Sequence, residues 1–153
     1  MNVLAYARKA VVQPDGFVKM TDIDYLVSAS DIVTVHASLN PQTKQLIDKE
    51  VFKKIKNTSL FINTARGGIV NEKDLIGALK NGNIAGACMD VFESEPLSTD
   101  SELRNLSNVI LTPHTAGMPD GLKFHKKRYD FFMNNIKRVE NGEEPESKRN
   151  QLL

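Results

Sequence analysis

Short apolar runs of strand character alternate with helical patterns along most of the chain, and this alternation limits the possible folds more than any other feature. Several of the runs are nearly continuous in apolar residues, as strands are when a parallel sheet is covered on both faces. The alternation therefore predicts an α/β fold built on a doubly wound, mostly parallel sheet. The predicted strands span residues 3–7, 16–20, 31–36, 59–63, 84–91 and 109–112.

Helix signals fill the intervals between these runs. A short helix is predicted over residues 22–29, and Asp48 is placed to cap a second one. Asn71 is placed to cap a third, with Asp74 three residues later, where a capping box has its acidic residue. These signals predict helices that connect successive parallel strands.

The longest helical pattern covers residues 118–141, and Gly142 is expected to end it. One domain is therefore predicted over residues 1–142, followed by a polar tail over residues 143–153. The stripe along this helix consists of Leu122, Tyr129, Phe132, Met133, Ile136 and Val139.

The bulk composition argues against several classes of protein. The 153 residues carry a net charge of +1, which gives no general attraction to nucleic acid or to an anionic membrane. The one cysteine, Cys88, excludes an internal disulfide framework, and no cluster of Cys and His has zinc-binding spacing. No apolar run approaches the roughly 20 residues that span a bilayer, and no signal peptide is recognisable. A cytoplasmic protein is expected, with no metal and no nucleic-acid or membrane partner.

Ionisable residues follow three of the predicted strands. Arg66 comes after SLFIN, Asp90 ends IAGACM with Glu95 five residues later, and His114 follows VILTP. The carboxyl ends of parallel strands share one edge of a sheet, where ligands bind. There, Glu95 would hold the His114 imidazole in one tautomer for general acid/base chemistry. Arg66 would bind a carboxylate through its planar fork. The set suits hydride transfer to a 2-keto acid.

Other interpretations of single residues stay open at this point. A lone Arg, Glu or His at a strand end is more often an ordinary surface residue than a catalyst. Asp90 would also serve as a helix cap, and His36 as a satisfied residue at a sheet edge. Cys88 suits a small core position, and the basic run over residues 123–128 suits a solvated helix face.

The residues then match a known family. The segments SDIVTVHASLNPQTKQLID, IKNTSLFINTARGGIVNEKDL, GACMDVFESEPL and NVILTPHTAG resemble, in this order, the D-isomer-specific 2-hydroxyacid dehydrogenases. The resemblance implies a Rossmann-like domain that binds NAD or NADP, with a small 2-hydroxy or 2-keto acid as substrate. By the same resemblance, Arg66 binds the substrate, and Glu95 and His114 are the acid/base pair.

The resemblance also implies which residues line the dinucleotide. Thr64, Ala65, Asp90 and Gly117 would lie along its nicotinamide half, and the segment from His36 would lie near its adenosine. Arg8 and Lys9 stand where many relatives have an acidic residue, which favours NADP over NAD. The full predicted cofactor-binding set is Ala7, Arg8, His36, Ala37, Ser38, Thr43, Thr64, Ala65, Arg66, Asp90, His114 and Gly117.

The sequence departs from the family pattern at its beginning. Family chains are about twice as long, and they carry a substrate domain and then a first Rossmann strand with a G-x-G-x-x-G turn. None of these segments is found in this sequence. An incomplete Rossmann-like sheet is therefore expected, in which the strands over residues 3–7 and 31–36 each lack a neighbouring strand. Backbone N–H groups of that turn hold the pyrophosphate, and dinucleotide affinity should therefore be impaired.

Two functions follow as hypotheses. The first is the nucleotide-binding part of a 2-hydroxyacid dehydrogenase that is inactive as this isolated chain. The second is a non-catalytic relative that binds a partner or pairs with itself through the open strand edges. A homodimer is one form of the second hypothesis.

Overall fold

The computed structural model describes residues 2–7, 17–116 and 122–145, and the fold below refers to these ranges. The strands are β1 (Val3–Ala5), β2 (Val18–Met20), β3 (Ile32–Val35), β4 (Leu60–Asn63), β5 (Gly86–Met89) and β6 (Val109–Leu111). The helices are α1 (Ile23–Ala29), α2 (Lys49–Phe52), α3 (Glu72–Lys80) and α4 (Leu122–Glu140).

All pairing between these strands is parallel. One sheet has the order β3-β4-β5-β6, and a separate pair joins β1 to β2. In the larger sheet, Val35 is opposite Asn63 and Asn63 is opposite Met89, so the carboxyl ends of the first three strands are level. The predicted α/β class and parallel sheet are confirmed.

The predicted edges of the sheet are also found. Within the described residues, β1 pairs only with β2 and β3 pairs only with β4, so each has one edge without a strand beside it. These are the two strands for which the sequence predicted a missing neighbour. Several strands are shorter than predicted, and β5 ends at Met89, directly before Asp90.

Polar side chains begin the short helices, as their sequences predict. The carboxylate of Asp48 accepts hydrogen bonds from the N–H groups of Glu50 and Val51, and Asn71 accepts one from Asp74. Asp74 does not complete a capping box. Its carboxylate accepts the N–H of Lys49 at 3.0 Å instead, which ties the start of α3 to the start of α2.

One face of the four-stranded sheet is covered and forms the core. Phe61 of β4 lies fully buried against Phe52 of α2, with the rings edge to face at 5.4 Å and 73°. Val27 of α1 and Leu75 of α3 are also buried in this cluster. The three connecting helices therefore all contribute to a single core.

The opposite face of this sheet is bare among the described residues. Ile32, Leu60 and Ile110 are 56%, 43% and 52% exposed. The sequence predicted a sheet covered on both faces, and this part of the prediction is wrong for the described residues. The apolar residues of α4, the longest helix, are exposed as well, Tyr129 and Phe132 among them. No described helix is long and apolar enough to cross a bilayer.

Gly67 marks the closest backbone approach between two loops. It begins a 3-10 turn over Gly67–Ile69, directly after Arg66, which the sequence reading did not anticipate. A Cβ at this glycine would lie 1.9 Å from the backbone carbon and oxygen of Phe92. The loop after β4 therefore packs directly on the loop after β5, and only a residue without a side chain fits between them.

We expect Gly67→Ala to lower the free energy of unfolding by at least about 2 kcal/mol, since one of the two backbones must move. Gly77 in α3 provides a matched control because no atom lies within 4 Å of its would-be Cβ. Gly77→Ala should raise stability by up to about 1 kcal/mol through helix propensity. Urea unfolding of both variants checks this, and equal effects of the two substitutions would contradict the described packing.

Candidate functional site

Three loops leave the larger sheet from the same edge. Arg66 lies three residues after the end of β4, Glu95 follows β5, and His114 lies three residues after the end of β6. These strands are parallel neighbours, so their carboxyl ends lie side by side. The sequence prediction that these three residues leave from one edge agrees with this topology.

Glu95 and His114 form a direct hydrogen bond. The Nδ1 atom of His114 lies 2.7 Å from Oε2 of Glu95. The other carboxylate oxygen, Oε1, accepts the N–H of Phe92 at 3.0 Å, so the carboxylate is held at both ends. Because an ionised carboxylate only accepts, Nδ1 carries the proton. Within the described residues, Nε2 has no hydrogen-bond partner and is the nitrogen left for a ligand.

The surroundings of Glu95 keep it ionised at neutral pH. Partial burial acts to raise the pKa of Glu95, because it removes water from the carboxylate. The hydrogen bonds from His114 and the Phe92 N–H, together with the charge of His114, outweigh burial and hold this pKa below its usual value. The side chain is 35% exposed, so this is a site open to solvent.

His114 sits in a constrained turn. Its φ is +53°, a left-handed conformation that residues other than glycine seldom adopt, although histidine is found there more often than most. Such a residue costs on the order of 1–3 kcal/mol and persists only where its surroundings impose it. Thr112 and Thr115, on either side, are bound by the buried carboxylate of Asp90.

Asn63 holds the turn that carries Arg66. Its side chain is 0% exposed, and Oδ1 accepts the N–H of Ala65 while Nδ2 donates to the carbonyl of Arg66, both at 3.1 Å. Arg66 itself is exposed, and its guanidinium donates to the carbonyl of Ala65 at 2.6 Å. Both ends of the Asn63 side chain therefore bind the turn itself.

The remaining predicted cofactor residues also follow strand ends. Thr64 and Ala65 come after β4, His36 directly follows β3, and Ala7 follows β1. All except the half-buried Ala65 are exposed. Two residues of the predicted set, Arg8 and Gly117, lie outside the described ranges, as does Lys9.

The segment after His36 is closed by its own hydrogen bonds. The hydroxyl of Thr43 donates to the carbonyl of Ser38 at 2.7 Å and accepts the N–H of Asn40 at 2.9 Å. Ala37 and Ser38 are exposed on this closed loop. The sequence could not show this closure, although Asn40 and Thr43 at this spacing are common in such turns.

A second pair of acidic residues, which the sequence reading did not single out, joins α3 to the loop of Glu95. The backbone N–H of Glu72 donates to the Glu93 carboxylate at 3.1 Å, and the N–H of Glu93 donates to Glu72 at 3.2 Å. Burial and the Glu93 charge raise the pKa of Glu72, although the hydrogen bond from the Glu93 N–H works against them. In the sequence, Glu72 is recognisable only as an acidic residue in the first turn of α3. Its partner, Glu93, lies 21 residues later in the chain.

No metal centre is formed by the residues that the structure describes. No group of three or more His, Cys, Asp or Glu side chains is placed to hold an ion there. A cavity of about 280 Å³ is lined by Glu72, Ser94, Asp100 and their neighbours, and it includes none of the predicted site residues. The sheet edge is therefore the site that the described residues support.

Comparison with known proteins identifies the family of the chain. Residues 1–116 match the family model for the D-isomer specific 2-hydroxyacid dehydrogenase NAD binding domain. Over 119 residues the chain is 45% identical to D-3-phosphoglycerate dehydrogenase from Archaeoglobus fulgidus, covering 76% of this chain and 22% of that protein. Over 127 residues it is 41% identical to glyoxylate reductase from Thermofilum pendens, covering 83% of this chain and 37% of that protein.

A solved structure shows the same fold. A probable 2-hydroxyacid dehydrogenase from Rhizobium etli, in complex with NADP, HEPES and L(+)-tartaric acid, superposes with a TM-score of 0.71 at 33% identity. The match covers 95% of this chain and 46% of that one, so the chain spans less than half the length of each of these relatives. The chain belongs to the D-isomer specific 2-hydroxyacid dehydrogenase family and matches the NAD-binding domain of that family.

Proposed function

We propose that this chain supplies the nicotinamide-binding and proton-transfer part of an enzyme that interconverts small 2-hydroxy and 2-keto acids. The observation that carries the proposal is the hydrogen bond from His114 to Glu95 at the same sheet edge as Arg66. The bond gives an imidazole with one fixed tautomer and a free Nε2, as a general acid/base requires. Two relatives that are similar in sequence are a D-3-phosphoglycerate dehydrogenase and a glyoxylate reductase.

Each of the three side chains has a distinct role in this proposal. Arg66 binds the substrate carboxylate through its guanidinium, which is exposed at the edge. In the reducing direction, Nε2 of His114 gives a proton to the keto oxygen. The Glu95 carboxylate stabilises the protonated imidazole that this step consumes. A bound nicotinamide dinucleotide supplies the hydride to the substrate carbon, or accepts it in the reverse direction.

The residues at the edge fit the nicotinamide half of the cofactor better than its pyrophosphate. Thr64 and Ala65 lie beside Arg66 and offer a hydroxyl and small surface to a flat ring. His36, Ala37, Ser38 and Thr43 are proposed for the adenosine side. The sequence contains no G-x-G-x-x-G turn, and hence no such cradle of N–H groups for the phosphates. Weak dinucleotide binding and no turnover are therefore proposed for this chain by itself.

NADP is proposed as the preferred cofactor because Arg8 and Lys9 stand where an acidic residue would bind the adenosine ribose. Basic side chains there would bind a 2′-phosphate. A cytoplasmic location is proposed from the single cysteine, since thiols stay reduced in that compartment.

A second candidate function rests on the exposed surfaces of the sheet. The free edges of β1 and β3 and the bare face with Ile32 and Leu60 are suited to pairing with another chain. A self-associating or partner-binding module without catalysis would use these surfaces. Sedimentation velocity separates the two functions, since the self-pairing form predicts a dimer at micromolar concentration.

We expect calorimetric titration of the chain to give weak binding of NADPH, with a dissociation constant on the order of 1 mM or above, and weaker binding still of NADH. No reduction of glyoxylate or hydroxypyruvate should be detectable. Micromolar affinity would contradict the argument about the missing phosphate cradle. Measurable turnover would show that the chain is a complete catalyst and would refute its proposed inactivity alone.

We expect Arg66→Gln to weaken binding of a 2-keto acid such as glyoxylate by tenfold or more, or about 1.4 kcal/mol, because the carboxylate loses its charged fork. Arg66→Lys should recover only part of this loss, since a point charge cannot bind both oxygens in the same way. Arg104 provides the control, because its guanidinium binds the carbonyls of Leu97 and Ser98. Arg104→Gln with the same loss as Arg66→Gln would contradict the assignment.

The lowered pKa of Glu95 predicts a pH dependence of stability. A carboxylate whose pKa is lower in the folded chain than the unfolded value of about 4.3 stabilises the fold above that value. This contribution is lost as the pH falls through the lower pKa of the folded chain. We therefore expect Glu95→Gln to lower the melting temperature at pH 7 and to differ less and less from the parent chain below about pH 4.

Glu140→Gln controls for the loss of one negative charge, because Glu140 is exposed at the end of α4. Thermal unfolding followed by circular dichroism at several pH values gives the comparison. A Glu95→Gln effect that is independent of pH would mean that the ionised carboxylate is not what stabilises the site.

A further inference from the structure

Asp90 is a buried acidic residue that the proposed mechanism does not use. It directly follows β5 and is only 3% exposed. Within the described residues, no Lys, Arg or His forms an ion pair with it. A buried carboxylate without a cation is costly unless hydrogen-bond donors surround it, so its partners indicate why this position holds an acid.

Among the described residues, every partner of the Asp90 side chain comes from the turn that carries His114. Oδ1 accepts the hydroxyl of Thr112 and, at 2.9 Å, the N–H of Thr115. Oδ2 accepts the N–H of Ala116, also at 2.9 Å. The two oxygens therefore bind the chain on both sides of His114.

These bonds impose the conformation of His114. Within the turn, one backbone hydrogen bond joins residues two positions apart: the His114 N–H donates to the carbonyl of Thr112 at 3.1 Å. A left-handed φ of +53° is unfavourable for histidine and needs further support. The bonds to Asp90, with the Thr115 hydroxyl at 3.5 Å as a fourth and longer one, supply that support, because a change of φ at His114 would move Thr115 and Ala116 away from the carboxylate.

The geometry points to Asp90 as the positioning residue for His114: its carboxylate fixes the turn at Thr112 and Thr115, and so presents the imidazole to Glu95. This inference rests on the proposed function in one respect: the proposed function makes the His114 imidazole the general acid/base. The sequence prediction that Asp90 lies along the nicotinamide half of the dinucleotide stays a prediction beside this role.

Asp90→Asn is the decisive variant. The amide keeps the size of the side chain, but one of its two ends becomes an N–H group that faces the N–H of Thr115 or Ala116. We expect the turn to relax and the bond between His114 and Glu95 to weaken. Asp100→Asn is the matched control, because Asp100 is exposed and lies in another loop.

The readout is the imidazole spectrum of the chain labelled with ¹⁵N-histidine, recorded well above the ordinary histidine pKa of about 6.5. In the parent chain, His114 should be the Nδ1-protonated tautomer. In Asp90→Asn this population should fall on the order of twofold or more, while His36 stays unchanged. Backbone amide signals of Phe61 and Leu75 report that the core remains folded.

Thr112→Val provides a second test if Asp90→Asn fails to fold. It removes one hydroxyl donor and leaves both N–H groups, so the tautomer population should shift in the same direction by a smaller amount. An unchanged His114 spectrum in a folded Asp90→Asn chain would overturn the inference. So would an Asp90→Asn chain whose only change is a tenfold weaker binding of NADPH.

The spectra need no turnover, so this test is independent of the proposed reaction. A His114 tautomer that depends on Asp90 supports the positioning role even if the chain never binds a 2-keto acid. Loss of glyoxylate binding tests the proposed function instead and leaves the role of Asp90 intact.

Discussion

Parallel pairing of β4, β5 and β6 is the constraint on which the site depends. Parallel neighbours must end at the same edge, so the loops that follow them leave from that edge although their residues lie up to 48 positions apart in the chain, from Arg66 to His114. The loops then contact each other directly, since the backbone of Phe92 fills the space beside Gly67. Phe92 also donates its N–H to Glu95, which in turn binds His114. The loops that carry the site residues therefore follow directly from the strands and are positioned by them.

Buried polar side chains convert this common edge into a defined geometry. Asn63 and Asp90 lie at the ends of adjacent strands, and the N–H of Asp90 donates to the carbonyl of Asn63 at 3.0 Å. Each holds one turn, the first that of Arg66 and the second that of His114. An unsatisfied polar group at either place would cost about 1–3 kcal/mol, so these two residues stabilise the fold only while the turns are correctly formed.

The sequence was sufficient for the fold class and for the residues of the edge, because strand periodicity and the flanking motifs carry that information. It was not sufficient where the outcome depends on contacts between distant segments. Asp74 matched a capping box but binds Lys49, since α2 lies within reach of its carboxylate. Asn63 ends β4 at the site edge, but its side chain binds the turn that follows it. The reciprocal bonds of Glu72 and Glu93 also join segments that no local pattern connects.

We propose that nicotinamide and 2-keto acid meet at the carboxyl edge of the sheet. The most direct measurement is a ¹H–¹⁵N spectrum of the chain titrated with NADPH and then with glyoxylate. We expect NADPH to shift the amide signals of Thr64, Ala65 and His36, and glyoxylate to shift the guanidinium signal of Arg66 and the imidazole of His114. Shifts confined to the opposite ends of these strands would contradict it.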